Sequence, residues 1–166
     1  NDFPVQTTGS HPFTYNEYAA IPSLDIASTV SDSDLPADTI LYTLVEQTNT
    51  ALCSVTINNL GVVSFNNIAQ HDNGSLTATI SVDDQNCQIE IPIYLTIVPI
   101  NDCPTIVNPV PDINVTEDAA PIVIDIRNTF TDVESPTLEY NVIAQNNALV
   151  AVSTTSTSLK MDEKVN

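Results

Sequence analysis

The stretch Val98-Pro99-Ile100-Asn101-Asp102-Cys103-Pro104 ends a run of alternating apolar residues, turns polar for two positions and restarts after a proline. Alternation of apolar and polar side chains is typical of a half-buried β-strand, so we predict a strand that runs into a linker here. The chain opens on Asn1-Asp2-Phe3-Pro4, which carries the same polar pair one hundred positions earlier. This recurrence predicts two similar modules in tandem, residues 1–100 and 101–166.

An internal repeat extends from the linker into both modules. Aligning each residue n with residue n+100 gives 11 identities over the first 36 positions, including Glu17 with Glu117. Two residues then drop out, and Tyr42 aligns with Tyr140. At Asn166 the second copy has reached only about its fifth strand, so we expect a second module that is truncated before its last strands and exposes a core face. We also expect the sequence to be a fragment of a longer chain.

Short segments rich in Val, Ile, Thr and Tyr alternate with turn residues along the whole chain, and no window carries the apolar period of a helix. Seven strands in about a hundred residues match the size of an immunoglobulin-like sandwich. The predicted fold class is therefore all-β: tandem seven-strand Greek-key β-sandwiches of the cadherin/immunoglobulin kind, the second one incomplete. The strands predicted for the first module are 3–16 with a break at Gly9-Ser10, 21–29, 39–46, 52–57, 61–65, 75–82 and 88–98.

Charge is the extreme feature of the composition. The chain has 21 acidic residues and three basic ones, for a formal net charge of -18. Because such a surface repels phosphate backbones and anionic lipids, neither nucleic acid nor a membrane surface is an expected partner. No run of 18 apolar residues is present, so we expect no membrane insertion in this segment. Like charges destabilise the compact state unless cations neutralise them. Because carboxylates supply oxygen ligands and Ca²⁺ prefers such ligands, Ca²⁺ is the predicted cofactor.

The acidic residues are concentrated in the predicted loops. Strands alternate in direction, so alternate loops meet at the same pole of a sandwich, and several carboxylates at one pole cannot all stay ionised without a cation. We therefore predict an interdomain calcium site at the linker and a second, incomplete site at the start pole. The predicted interdomain ligands are Glu17, Asp72, Asn101, Asp102, Asp132 and Glu134, and the start-pole ligands are Asp2, Asp32, Asp34 and Asp83.

The ordered set of motifs resembles the bacterial cadherin-like (dystroglycan-type) tandem repeats of surface adhesins. The Asn-Asp-x-Pro openings are followed by Asn16-Glu17-Tyr18-Ala19 and Thr116-Glu117-Asp118-Ala119, and then by Ser31-Asp32-Ser33-Asp34 and Thr131-Asp132-Val133-Glu134. The second acidic loop lacks the glycine and the third aspartate of the usual Asp-Pro-Asp-Gly-Asp pattern. The resemblance implies an extracellular, modular protein: an adhesin, a surface filament or a secreted enzyme that uses the repeats as spacers.

Catalysis is not expected from this chain. It lacks the short motifs of serine hydrolases, zinc proteases and phosphate-binding loops, and it has three glycines in all. His11 and His71 lie far apart in the sequence, and each would need a suitable partner to form a site. The three cysteines have no metal-ligand spacing; free thiols or a bridge between Cys53 and Cys103 are both compatible with the strand order.

These observations predict structural and adhesive repeat modules of a large secreted or cell-surface protein, which form a calcium-stiffened stalk or filament. The expected partners are further repeats of the same chain and, at the cell surface, glycans or another surface protein. The alternative function is that of spacer modules in a secreted multidomain carbohydrate-active enzyme.

Overall fold

The computed structural model describes residues 2–8, 11–33, 39–116, 118–143 and 150–163. The chain divides into two compact units, Asn1–Ile100 and Asn101–Asn166. Both are built from strands, so the all-β class predicted from the sequence is confirmed. Among the residues described, no helix is long and apolar enough to cross a membrane.

Unit 1, residues 1–100, is a two-sheet sandwich. Its strands are β1 (Val5–Gln6), β2 (His11–Asn16), β3 (Leu24–Asp25), β4 (Val30–Ser31), β5 (Leu41–Gln47), β6 (Ser54–Ile57), β7 (Val62–Asn66), β8 (Gly74–Asp83) and β9 (Gln88–Val98). One sheet has four strands in the order β2-β9-β8-β5, and the other has three in the order β3-β7-β6, with β1 paired to β4.

The antiparallel hairpin β8–β9 forms the centre of unit 1. Every second residue of each strand faces inward, as the alternation in the sequence predicts. Ile80 pairs directly with Ile91, and both are 0% exposed. Burying one such side chain contributes about 1.5–3 kcal/mol relative to leaving it in water. The inward-facing residues of the hairpin are Leu76, Ala78, Ile80, Val82, Ile91, Ile93, Leu95 and Ile97.

Strand β2 pairs with β9 in parallel, from His11 opposite Ile93 to Asn16 opposite Val98. The two strands therefore end side by side, and the backbone N–H of Glu17 donates to the carbonyl of Val98 at 2.9 Å. This pairing places Glu17 beside the last residues of unit 1.

The single strand predicted over residues 21–29 is wrong. The structure has two short strands, β3 and β4, separated by a 3₁₀ turn over Ala27–Thr29. Within this turn the Ser28 hydroxyl donates to the carbonyl of Asp25 at 2.9 Å, and the Thr29 hydroxyl donates to that of Ile26 at 2.8 Å. Such local bonds compete with the sheet ladder, and strand propensity alone does not reveal them.

Unit 2, residues 101–166, repeats one sheet of unit 1. Its strands are β10 (Thr105–Ile106), β11 (Ile122–Asp125), β12 (Phe130–Thr131), β13 (Val150–Thr154) and β14 (Ser158–Glu163), ordered β11-β14-β13 with β10 paired to β12. Thr105 pairs with Thr131 as Val5 pairs with Ser31, in the register of the internal repeat. The described part of unit 2 holds no strand equivalent to β2, β5, β8 or β9.

Candidate metal centre

Glu17 is a buried carboxylate at the end of β2 in unit 1. Its side chain is 4% exposed, and Oε1 accepts a hydrogen bond from the backbone N–H of Ile100 at 3.0 Å. Oε2 is also buried and has no hydrogen-bond partner within the part of the chain that the structure describes. A buried charged oxygen without a partner is costly, because the interior does not replace the water it has lost. Glu17 is therefore oriented through Oε1, and Oε2 is the oxygen available as a metal ligand.

The turn before β8 places His71 next to Glu17. A ring nitrogen of His71 and a carboxylate oxygen of Glu17 lie within 4.8 Å of each other. The Tyr18 hydroxyl and His71 Nδ1 are 2.5 Å apart, and the two rings meet edge to face with centroids 5.5 Å apart. Both residues have left-handed backbone conformations, with φ of 65° and 67°. Sequence reasoning missed His71 as a site residue, although its neighbour Asp72 was assigned to this pole.

Asp72 itself closes the turn. Its Oδ2 accepts the backbone N–H of Ala69 at 2.9 Å, and its own N–H donates to the carbonyl of Ala69 at 3.2 Å. A short Asp side chain reaches its own backbone readily, and this use stabilises the turn. Of the two adjacent residues, His71 is the one whose ligand atom approaches Glu17.

Unit 2 carries a second pair of ligand atoms at its beginning. Glu134 Oε2 accepts the backbone N–H of Asp102 at 3.1 Å, and carboxylate oxygens of Asp102 and Glu134 lie within 4.8 Å of each other. Asp132 Oδ1 instead accepts the N–H groups of Glu134 and Ser135, at 3.1 and 2.7 Å. The Asn101 amide donates to the carbonyl of Asp102 at 2.7 Å. In this loop Asp132 closes the turn and Glu134 reaches the linker, despite the missing glycine.

The start-pole carboxylates of unit 1 gather around Cys87. Partial burial, together with the nearby carboxylates of Asp84, Asp32 and Asp83, raises the pKa of the Cys87 thiol. Asp84 is 2% exposed, and its Oδ1 accepts the N–H groups of Asn86 and Cys87 at 2.8 and 2.6 Å. Asp83 Oδ1 accepts the N–H of Gln85 at 2.7 Å. Asp84 was not among the predicted ligands.

Asp2 and Asp34 are the other two predicted start-pole ligands besides Asp32 and Asp83. Asp2 is exposed, and Asp34 lies outside the described residues. No three ligand atoms from the described members of this cluster lie within 4.8 Å of one another. The cysteine alternative is resolved for this structure, in which Cys53, Cys87 and Cys103 are all free thiols.

No protein-family model matches the chain, and no curated protein matches it. Among solved structures, the extracellular domain of Protocadherin GammaB4 is similar over 99% of this chain and 29% of its own, with 19% sequence identity and a TM-score of 0.55. The chain has a cadherin-like β fold. An endo-fucoidan hydrolase from glycoside hydrolase family 107 matches over 97% of this chain and 24% of its own, with 15% identity and a TM-score of 0.46. A titin A168–A169 structure matches with a TM-score of 0.35.

The described basic residues of unit 2 form ion pairs with neighbouring aspartates. Arg127 pairs with Asp125, and Lys160 Nζ lies 2.8 Å from Asp162 Oδ1.

Proposed function

We propose that the chain is a calcium-stiffened repeat segment of an extracellular structural or adhesive protein. The observation that carries the proposal is the Glu17 carboxylate, which is 4% exposed and has one oxygen buried without a hydrogen-bond partner among the described residues. Water does not reach this oxygen, and Ca²⁺ would supply the missing charge compensation.

We infer, from chain connectivity alone, that one ion takes ligands from Glu17 and from the Asp102–Glu134 pair. The Glu17 carboxylate accepts a hydrogen bond from the N–H of Ile100, and the Glu134 carboxylate accepts one from the N–H of Asp102. Only two peptide units separate these N–H groups, so their α-carbons are at most about 7.6 Å apart. We infer that Glu17, Asp102 and Glu134 supply the carboxylate oxygens, with backbone carbonyls and water completing the six to eight ligands that Ca²⁺ takes.

The presence of His71 beside Glu17 bears on which metal ion the site would bind. Imidazole suits zinc and other transition metals, whereas Ca²⁺ prefers oxygen donors. The ring nitrogen Nδ1 is already in contact with the Tyr18 hydroxyl. We assign His71 the role of packing beside Glu17, and the carboxylates the role of binding the ion.

A stalk or filament follows from binding at the linker. An ion held by residues of both units restricts rotation about residues 100–102, and removing it leaves like charges that repel. The expected location is outside the cell, where calcium is abundant, and the expected neighbours are further repeats of the same chain. In this proposal the chain acts by holding position and catalyses no reaction.

The test is thermal unfolding of the 166-residue chain with Ca²⁺, with Zn²⁺ and with chelator, at matched ionic strength. Ca²⁺ at a hundred times its Kd adds about 2.7 kcal/mol to the stability of the folded state. We expect this gain to disappear in Glu17→Gln and to persist in Glu90→Gln, which makes the same change at an exposed position of β9.

Three outcomes would contradict the proposal. The melting temperature could fail to rise with Ca²⁺, the rise could be the same in Glu17→Gln, or Zn²⁺ alone could stabilise the chain. The last result would assign the site to a transition metal that uses His71.

A further inference from the structure

The strands β2 and β9 of unit 1 lie side by side and run in the same direction. They pair in parallel through six consecutive residue pairs, from His11 opposite Ile93 to Asn16 opposite Val98. A load along the stalk enters unit 1 ahead of β2 and leaves it after β9. We propose that this pair of strands is a mechanical clamp that resists the unfolding of unit 1 under tension. The inference rests on the proposed load-bearing function, but the clamp itself does not depend on calcium.

The direction of the load relative to the strands is the physical basis of the clamp. Because β2 and β9 are parallel, the N-terminal end of β2 and the C-terminal end of β9 lie at opposite ends of the pair. Tension between these ends slides one strand along the other, and all hydrogen bonds of the ladder carry the load together. Forced unfolding is governed by the rate of unfolding rather than by equilibrium stability, so a shared load slows it.

The other strand pairings of unit 1 indicate that the β2–β9 ladder is the contact that limits unfolding. Strand β1 takes the load first, but it pairs with β4 through only two residue pairs. On its other side, β9 pairs with β8 through ten residue pairs. The short β1–β4 pairing therefore separates early, and the six-pair ladder breaks before the ten-pair one.

The alternation along β2 identifies the backbone groups that form the ladder. The N–H of Glu17 donates to the carbonyl of Val98 at 2.9 Å, and every second residue of a strand turns its N–H to the same side. Tyr15 therefore donates to β9 as Glu17 does, whereas the N–H of Thr14 faces away from it. Pro12, which has no N–H, occupies an outward-facing position of this edge strand, as a proline in an edge strand requires.

The Glu17 side chain extends the ladder beyond the last residue pair. After the N–H of Val98, the N–H of Ile100 is the next donor in the alternation along β9. This N–H donates to Glu17 Oε1 at 3.0 Å. Glu17 thus supplies both a backbone donor and a side-chain acceptor at the end of the clamp, and neither contact requires a bound ion.

The test is the lifetime of folded unit 1 under a constant pulling force, measured on the full 166-residue chain in the presence of chelator. One handle is attached to the exposed thiol of Cys103, and the other to Phe3→Cys, at a position 62% exposed. Cys87→Ser prevents attachment at the half-buried thiol, and Cys53 is shielded because it is 1% exposed. Unfolding should lengthen the tether by at most about 3.6 Å for each residue released between the handles.

The central comparison is between Tyr15→Pro and Tyr15→Ala, because both variants lose the ring but only the proline loses the N–H. At the same force, we expect Tyr15→Pro to unfold roughly tenfold faster than Tyr15→Ala, because one hydrogen bond of the ladder is missing. Thr14→Pro is the matched control at an outward-facing position, and its lifetime should stay within about twofold of that of the parent chain. Glu17→Ala, which removes the acceptor for Ile100, should shorten the lifetime.

Ile26→Ala separates resistance to force from equilibrium stability. Ile26 is 0% exposed in the core and belongs to neither strand of the clamp. Its truncation lowers the equilibrium stability of unit 1, but it should shorten the lifetime under force less than Tyr15→Pro does.

The clamp is overturned if Tyr15→Pro and Tyr15→Ala unfold at the same rate, if Thr14→Pro shortens the lifetime as much as Tyr15→Pro, or if Ile26→Ala shortens it more. Should Tyr15→Pro fail to fold, Phe13→Pro and Phe13→Ala make the same comparison at the preceding inward-facing position. Because chelator is present throughout, these lifetimes test the clamp alone. A missing effect of Ca²⁺ on thermal unfolding would contradict the calcium site and leave the clamp unaffected.

Discussion

At the scale of single residues, the chain uses aspartates and glutamates differently. Asp72, Asp84 and Asp132 each accept backbone N–H groups of their own loop. Glu17 and Glu134 instead accept N–H groups of the linker, 83 and 32 residues away in sequence. The reason is reach: a short side chain bonds to its own turn, and one more methylene lets the carboxylate extend beyond it. The three loop aspartates therefore order their own turns, whereas the two glutamates connect their loops to the linker.

The pKa of Asp125 reports on its contact with Arg127, which is a second contact within one loop. The side-chain and backbone hydrogen bonds from Arg127 lower the pKa of Asp125 from 3.8 to about 2. Because the folded-state pKa is lowered, the pair stabilises the fold above about pH 3.8, and this contribution is lost as the pH falls toward 2. We expect Arg127→Ala to raise the pKa of Asp125 part of the way toward 3.8, because the backbone N–H of residue 127 still donates to Asp125 Oδ1. NMR titration of the Asp125 carboxyl carbon measures this shift. Lys160→Ala, which removes the partner of Asp162, should leave that titration unchanged; a shift of equal size would contradict the assignment.

At the scale of elements, turns decide where the strands lie. The β6–β7 hairpin is closed by Asn58, whose Oδ1 accepts the N–H groups of Leu60 and Val62, both at 3.0 Å. Gly61 follows with φ of 76°, and its carbonyl accepts the N–H of Ile26 at 2.9 Å. A Cβ at this position would lie 3.0 Å from both Ala27 Cβ and Tyr42 Cζ. This glycine thus allows the hairpin to approach the 3₁₀ turn closely.

We expect Gly61→Ala to destabilise unit 1 by about 1–3 kcal/mol, because it combines a left-handed backbone with a steric clash. Leu60→Ala is the control in the same turn; its side chain is 75% exposed, and its effect should stay within about 0.5 kcal/mol. Urea denaturation followed by circular dichroism measures both. Equal stability of the two variants would show that the turn tolerates a Cβ at Gly61.

At the scale of the whole molecule, stability is unevenly distributed. Unit 1 has a continuous core that includes eight buried hydrophobic residues of β8 and β9, whereas unit 2 has one buried hydrophobic residue among those described. Because buried apolar area is the main stabilising term, the two units should unfold at different denaturant concentrations.

We expect the amide resonances of unit 2 to disappear at a lower urea concentration than those of unit 1. Ile26→Ala should shift only the transition of unit 1, by about 2–5 kcal/mol, since Ile26 is 0% exposed within the core. Ile126→Ala makes the same change at the repeat-equivalent position, and should shift only the transition of unit 2. A single coincident transition, moved by either substitution, would show that the units unfold together.

The sequence alone determined the all-β class, the register of the internal repeat and the concentration of carboxylates in loops. These properties are local, because alternation, turn residues and charge can be read from neighbouring positions. The strand predicted at 75–82 corresponds to Gly74–Asp83 for this reason.

Only the tertiary structure decided which polar side chains meet. The parallel pairing of β2 with β9 places Glu17 against Ile100, and a left-handed turn places His71, rather than Asp72, beside Glu17. The break of segment 21–29 into β3, a 3₁₀ turn and β4 likewise depends on bonds that strand propensity does not encode. Contacts between residues far apart in sequence are set by strand pairing and packing, so the buried carboxylate oxygen of Glu17 could not be identified from its position in the sequence.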